Sequence, residues 1–343
     1  MRVPRPYLLY IGSVAEPLAA KTARGIATWR PELAAGQWRR GRDAVDVGLP
    51  DMTPQVARAA GVRTMVLGTA PAGGAMDAHM VDAALEALGA GLHVASGLHQ
   101  RLRAHEAIRV AAERAGLRLF DVREPPADLP VGTGERRAGK RLLTVGTDCA
   151  VGKMVTALAI ERELSARRVP CAFRATGQTG ILIAGAGVPV DAVVADFLAG
   201  AVEMLSPARD DGGWDLIEGQ GSLFHPAFAG VSLGLLHGAQ PDALVLCHEL
   251  GRSHVRHASG FALPGLAACL ARNLEGARLT NPDVVAVGVS LNSSRLNAEA
   301  AQAARARIED ELGLPCQDPM RDGVGRIAEH LLELFPPGPE TSP

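Results

Sequence analysis

Leu142–Leu158 reads LLTVGTDCAVGKMVTAL, and no other stretch constrains the fold of this chain as tightly. A short apolar run, Leu142, Leu143 and Val145, stops at Gly146. A loop over residues 147–151 follows, and Gly152-Lys153 opens a run of helical character. Strand, glycine-bounded loop and helix in that order form the layout of a phosphate-binding P-loop. Glycine lets the backbone approach an anion. Loop N–H groups and the helix N-terminus supply partial positive charge, and a lysine adds a full one. Gly146, Thr147, Asp148, Cys149, Val151, Gly152, Lys153 and Met154 are therefore the candidate cofactor-binding residues.

Two features depart from the common motif. Five residues separate Gly146 from Gly152, one more than usual, and Met154 stands where Ser or Thr binds Mg²⁺. A thioether is a poor ligand for a hard cation. The loop keeps its phosphate cradle and loses a metal ligand, which favours phosphate binding over nucleotide hydrolysis. The competing reading is a tight strand-to-helix turn with a solvated lysine.

At 343 residues the chain is expected to form two domains. A net charge of −2 and 3% aromatic residues offer neither a nucleic-acid nor a membrane surface. No stretch approaches a membrane span, and the opening MRVPRPYLLYIGS has too short an apolar run for a signal peptide. Five scattered cysteines without a C-x-x-C pair predict a reducing cytoplasm and no zinc framework.

Before the P-loop, apolar runs at Tyr7–Ile11, Arg63–Thr69, Leu92–Ser96 and Leu117–Val122 alternate with helical spacing at Asp77–Leu88 and Glu106–Ala115. That alternation predicts a parallel α/β sheet. Its strand ends place Gly12-Ser13, Gly73-Gly74 and Ser96–His99 at a candidate rim. The Pro-, Gly- and charge-rich Pro125–Arg141 marks the boundary, giving domains 1–135 and 136–343. The tail 336–343 is expected to be disordered.

In the second half, Pro170–Thr176 reads as a strand ending in Gly177-Gln178-Thr179-Gly180, a possible second anion or substrate contact. Asp191–Leu205 has helical character, with Asp196 a possible site residue. Trp214–Ile217 leads to Glu218-Gly219, an apolar strand with a carboxylate at its end, as in a Walker B motif. Glu218 is a candidate catalytic group or a helix-capping carboxylate. His225, a few residues on, is either a second catalytic candidate or structural. Ala243–Cys247 carries His248-Glu249, Arg252, His254, Arg256 and His257 at its end. The spacing is not H-E-x-x-H, and two arginines oppose a cation, so no metal is expected. A basic loop meeting a carboxylate or phosphate fits better. Val284–Leu291 ends at another rim position, Asn292-Ser293-Ser294, and Ala298–Leu312 is amphipathic.

Gly146-Thr147-Asp148 with Val151-Gly152-Lys153 resembles the P-loop of dethiobiotin synthetase, and Glu218-Gly219 resembles its Glu-Gly strand end. That family has Thr where Met154 stands here. A longer resemblance runs through residues 48–54, 131–154, 174–185, 218–226, 230–249 and 277–282, which are similar to the DgcN family. It implies an N-terminal Rossmann-like domain and a C-terminal P-loop domain. It also implies an N-acetyltransferase that moves acetyl from acetyl-CoA to a D-amino acid, D-glutamate being the best known.

The residues suit that chemistry. A P-loop without its Mg²⁺ hydroxyl suits the phosphates of CoA, since no γ-phosphate is cleaved. Acetyl transfer to an amine needs a base, Glu218 or His225, and donors for the thioester oxyanion near Gly219–Ser222 or Gly177–Gly180. An acidic substrate needs cationic anchors, and Arg174, Arg252 and Arg256, with Gln178 and Thr179, are the candidates. An ATP- and Mg²⁺-dependent ligase or kinase and a nucleotide-binding sensor are the alternatives. A homo-oligomer, dimer or higher, is expected.

Overall fold

The computed structural model describes residues 3–17, 19–69 and 74–336. Ala70–Gly73 and the tail from residue 337 lie outside the described residues, and with them the rim reading of Gly73 and the expected disorder of the tail. The chain divides into two compact units, Met1–Pro126 with Gly177–Ala192, and Ala127–Thr176 with Val193–Pro343.

The first unit alternates strand and helix: β1 (Tyr7–Gly12), α1 (Lys21–Trp29), β2 (Ala34–Arg39), α2 (Pro54–Ala59), β3 (Thr64–Leu67), α3 (Ala78–Gly89), β4 (His93–Ser96), α4 (Glu106–Ala115) and β5 (Leu119–Asp121). The strands form one sheet in the order β2-β1-β3-β4-β5, and every pair is parallel. All six residues of β1 are buried, as expected for a parallel strand covered on both faces. Local signals set the helix ends. Asp77 caps α3 by accepting from the Met80 N–H at 2.8 Å, and Gly116, in the left-handed region at φ 63°, closes α4.

β2 has no counterpart among the four apolar runs. Gly36, Gln37 and Arg39 interrupt its hydrophobic pattern, and pairing with β1 makes it a strand. Gln37 is buried with its amide satisfied by Asp46, the Leu49 carbonyl and the Val47 N–H, so a polar residue sits in the sheet without an orphaned group.

The second unit runs β6 (Lys140–Gly146), α5 (Lys153–Ala166) and β7 (Cys171–Arg174). The chain then contributes α6 (Gln178–Ala184) to the first unit and resumes with α7 (Ala195–Leu205), β8 (Trp214–Ile217), α8 (Ala229–Ala239) and β9 (Ala243–Glu249). A small antiparallel hairpin, β10 (His254–Val255) and β11 (Ala258–Ala262), precedes α9 (Leu266–Arg278), β12 (Val285–Asn292), α10 (Ala298–Leu312), β13 (Cys316–Gln317) and α11 (Gly325–Leu334). The sheet order is β13-β12-β9-β6-β8-β7, again all parallel. β6 lies between β8 and β9, so the P-loop leaves the middle of the sheet at its carboxyl end, where ligands of such sheets collect.

A single division at 135/136 does not capture the return of Gly177–Ala192. The physical cause is burial: Ile181, Leu182 and Ile183 of α6 are fully covered, and α6 packs against α1 within the first unit. Asp196 lies exposed in the first turn of α7, where a carboxylate favours the helix N-terminus. Among the described residues no helix is long and apolar enough to cross a membrane.

Candidate active site

The loop from Gly146 to Lys153 is shaped by its small and buried residues. A Cβ on Gly146 would meet a Val151 methyl at 2.8 Å and the Cys247 carbonyl at 3.1 Å. Gly152, at φ 111°, turns the chain into α5. Lys153 in the first turn is 6% exposed, and its Nζ donates to the carbonyls of Asp148 at 2.7 Å and Gly221 at 2.8 Å. Burial pushes its ammonium below the usual lysine range, and Cys149, Cys247 and Asp148 pull the other way. Two loop carbonyls thus hold the lysine where an incoming anion could replace either of them.

Asp148 is completely buried and its carboxylate is fully committed. Oδ1 accepts from the Cys149 N–H at 2.7 Å, and Oδ2 accepts from Arg252 Nη1 at 2.8 Å and from the Arg256 N–H at 2.7 Å. Asp148 therefore ties the P-loop to the segment after β9 and places two arginines beside the loop. Arg252 also donates to the Cys149 carbonyl at 2.8 Å and pairs with Glu249, whose other oxygen lies 2.9 Å from Arg295 Nε. Alternating charges, Asp148, Arg252, Glu249 and Arg295, cross the carboxyl ends of β6, β9 and β12. Thr147 completes the loop: its hydroxyl lies 3.0 Å from His248 Nδ1, and its carbonyl accepts from Ser222 Oγ at 3.1 Å. Burial, helped by Arg252, pushes His248 down, which favours a neutral ring.

Glu218 follows β8 and is 5% exposed. Its Oε2 accepts from the Thr176 N–H at 3.0 Å, and its carbonyl accepts from Thr176 Oγ1 at 2.6 Å. The next residue admits no side chain, because a Cβ on Gly219 would lie 1.7 Å from the Thr144 carbonyl and 2.9 Å from Lys153 Cδ. The Glu-Gly pair therefore sits directly against the lysine stem. Thr144 Oγ1 accepts from the Gly219 N–H at 2.9 Å. Thr144 and Thr176, the hydroxyls that hold this corner, carry no motif of their own in the sequence.

His225 is 2% exposed with both ring nitrogens engaged. Nδ1 accepts from the Ala227 N–H at 3.1 Å, so Nε2 carries the proton and donates to the Arg256 carbonyl at 3.0 Å. The Phe228 ring lies 4.4 Å away, centroid to centroid. Of the two readings of His225, these contacts favour the structural one: it anchors the loop that carries Arg256. His225, Cys149 and Asp148 bring ligand atoms within 4.8 Å of one another. Arg252 occupies the same carboxylate, which opposes a cation there. Burial pushes the Cys149 thiol up, and Lys153, Arg252 and Arg256 only partly offset it, so the thiol is a poor nucleophile.

The P-loop, Glu218, Arg252 and Arg256 come together as the sequence predicts. Among the remaining substrate candidates, Arg174 does not join them. Arg174 turns back along β8, its Nε 3.0 Å from the fully buried Asp215, which also pairs with Arg209 and accepts from Ser206 Oγ. A buried carboxylate needs that compensation, and it draws Arg174 away from the strand end. Gln178 and Thr179 belong to the first unit, where Gln178 accepts from Arg123 Nη1 at 2.8 Å and the Thr179 hydroxyl lies 3.2 Å from that of Thr22. Gly177–Gly180, one of the two expected sources of oxyanion donors, lies there too.

Comparison with known proteins divides the chain between residues 125 and 130 and keeps Gly177–Ala192 with the P-loop part. Residues 130–328 match a domain of unknown function described as the DUF1611 C-terminal P-loop domain. Residues 34–125 match the DUF1611 N-terminal Rossmann-like domain. Over 96% of its length the chain is 47% identical to a D-glutamate N-acetyltransferase from Tritonibacter scottomollicae, of which 99% is covered. It is 45% identical to a D-glutamate N-acetyltransferase from a Pseudoalteromonas species, again over 96% of this chain and 100% of that one. A crystal structure of a DUF1611 family protein from Anabaena variabilis superposes with a TM-score of 0.83 at 30% identity, covering 96% of this chain and 100% of the other.

Proposed function

The chain belongs to the DUF1611 family, and from that premise we propose that it is an N-acetyltransferase that acetylates the amine of D-glutamate. The observation that carries the reading is the near-complete, 45–47% identical match to two proteins of that name, which spans both units.

Acetyl-CoA is the donor in this reading. Its phosphates meet Lys153, Arg252 and Arg256, and the donor set fits an anion. Lys153 already donates to two exchangeable carbonyls, and Met154 supplies no hydroxyl for a metal. The free amine attacks the thioester carbonyl, the tetrahedral intermediate expels the thiolate of CoA, and the amide forms. The ammonium of the substrate must first lose a proton, and Glu218 is the base. It is buried, carboxylate-bearing and set against the loop by Thr176 and Gly219. His225 is a positioning residue, since acting as a base would cost it the Ala227 bond. Backbone N–H groups of Gln220–Ser222, beyond the Gly219 N–H that Thr144 holds, are the oxyanion donors. The reading includes a reducing cytoplasm, in keeping with five cysteines that form no disulfide. It also includes a homo-oligomer, to be measured by light scattering.

The test is thiol release from acetyl-CoA over a panel of D- and L-amino acids, with ATP hydrolysis followed in parallel. Release that depends on D-glutamate is the expected result. ATP consumption without thiol release would replace this reading with a Mg²⁺-dependent ligase or kinase. Binding of a nucleotide with no turnover would make the protein a sensor.

A further inference from the structure

His225 and His248 both border the P-loop, and they differ in one respect. His225 has both ring nitrogens engaged. His248, half-buried near the end of β9, engages only Nδ1, which lies 3.0 Å from the Thr147 hydroxyl. Its Nε2 has no hydrogen-bond partner among the described residues. The hydroxyl decides which nitrogen carries the proton. Thr147 is completely buried, and among the described residues His248 Nδ1 is the one acceptor its hydroxyl reaches. A buried hydroxyl proton left without an acceptor carries the full desolvation penalty. Thr147 therefore donates and Nδ1 accepts, which puts the ring proton on Nε2. Burial, with Arg252 beside it, holds the ring below the usual histidine range, so it is neutral. A neutral ring in this tautomer has no lone pair at Nε2 for a proton, and losing that proton would leave an imidazolate. At Nε2 it is a hydrogen-bond donor, neither base nor acid.

The position adds a second constraint. β9 pairs with β6, and the Thr147 N–H donates to the Cys247 carbonyl at 3.1 Å, one residue before His248. Ser222 holds Thr147 from another side, its Oγ donating to the Thr147 carbonyl at 3.1 Å. His248 and the Gln220–Ser222 segment thus meet at one residue, at the carboxyl end of the sheet. Standing negative charge on a ligand is met by Lys153, Arg252 and Arg256. A neutral donor suits charge that appears only in the transition state. We propose that His248 Nε2–H is a further donor to the thioester oxygen during acetyl transfer, with Thr147 the positioning residue that fixes its tautomer. The inference rests on the acetyltransferase reading above. As the amine nitrogen bonds to the acetyl carbon, an electron pair moves onto the thioester oxygen, where Nε2–H meets it. The pair then returns, the C–S bond breaks, and the sulfur leaves with the bonding electrons and takes up the proton that the nitrogen sheds. His248 keeps its own proton throughout.

The test combines thiol-release kinetics of the full chain, with acetyl-CoA and D-glutamate, and ¹⁵N–¹H spectra of its histidine rings without substrate. His248→Ala should lower kcat about 10²–10³-fold, the cost of removing one oxyanion donor, with both KM values nearly unchanged. His248→Gln, which returns an amide N–H close to the Nε2 position, should recover about tenfold of that loss. The spectrum of the natural chain should show the His248 proton on Nε2. Thr147→Val should lower kcat and move that proton toward Nδ1, and Thr147→Ser should restore both. A normal kcat in His248→Ala overturns the proposal. So does a loss that falls on either KM with kcat kept, which would make His248 a binding anchor, and so does an equal kcat in His248→Ala and His248→Gln. A proton on Nδ1 in the natural chain overturns the donor at Nε2. Should Thr147→Val fail to fold, the His248 variants and the natural spectrum decide. Failure of the reading is separate: a natural chain that releases no thiol sinks the reaction and the donor together, whereas normal release with an active His248→Ala sinks only the donor.

Discussion

Lys153 packs its stem against Gly219, the residue after Glu218, and each of the two gives the site a different dependence on pH and substitution. Lys153 is titratable below the range of a free lysine because burial disfavours its charged form. The proposed binding of the CoA phosphates needs that charge. As pH rises through the lowered value the ammonium is lost, so kcat/KM for acetyl-CoA should fall on the alkaline side at a pH below 10.5, the ordinary lysine value. Lys153→Arg should remove this limb, since a guanidinium keeps its proton throughout. A pH profile whose alkaline limb is the same in both proteins would show that Lys153 does not meet the phosphates. Glu218→Gln keeps the shape of the side chain and removes the proposed base. Its expected effect is a fall in kcat of about 10²–10⁴-fold with little change in KM. Steady-state kinetics at saturating D-glutamate reads both, and a normal kcat would strip Glu218 of its role.

At this scale the sequence was legible where chemistry and geometry coincide. Gly146, Gly152 and Lys153 are a motif because only those residues make such a loop. Arg174 misled because a strand-end arginine has two possible partners, a ligand and a neighbouring strand's buried carboxylate, and one-dimensional spacing does not reveal Asp215. His225 stayed open between two readings for the same reason, since the Ala227 N–H and Arg256 carbonyl that occupy its ring are contacts of the folded loop.

The elements that carry the site owe their stability to the middle of the second sheet. Leu244 in β9 is fully buried, in register with Leu143 of β6. Leu244→Ala should destabilise the unit by about 2–5 kcal/mol, read from the midpoint of a urea titration. An unchanged midpoint would mean that β9 does not share a core with the P-loop strand. The apolar runs of β6, β8, β9 and β12 were readable because parallel strands covered on both faces need unbroken hydrophobic sequence. β2 and the two-residue β13 were not readable, since pairing with β1 and β12 makes them strands and their composition does not.

For the molecule as a whole, the segment Gly177–Ala192 matters most. A fragment spanning residues 127–336 carries α6 without the first unit that covers Ile181, Leu182 and Ile183. Such a fragment should aggregate, and replacing residues 177–192 by a Gly/Ser linker should restore a monodisperse species in light scattering. Equal behaviour of the two fragments would mean that the segment does not need its partners in the first unit. No periodicity in the sequence marks this crossing, because an apolar helix looks the same whichever core it enters.

The same segment imposes an order of events on the ribosome. The first unit has all five of its strands once residue 121 has been made, but not the helix that covers α1. That helix is synthesised only after β6, the P-loop, α5 and β7 have emerged. At roughly 5–20 residues per second the wait lasts several seconds. During it the nascent N-terminal half holds an uncovered apolar surface beside a growing second sheet, so the interval in which this protein is most exposed to chaperones and to misassembly is set by where sixteen residues were placed along the chain.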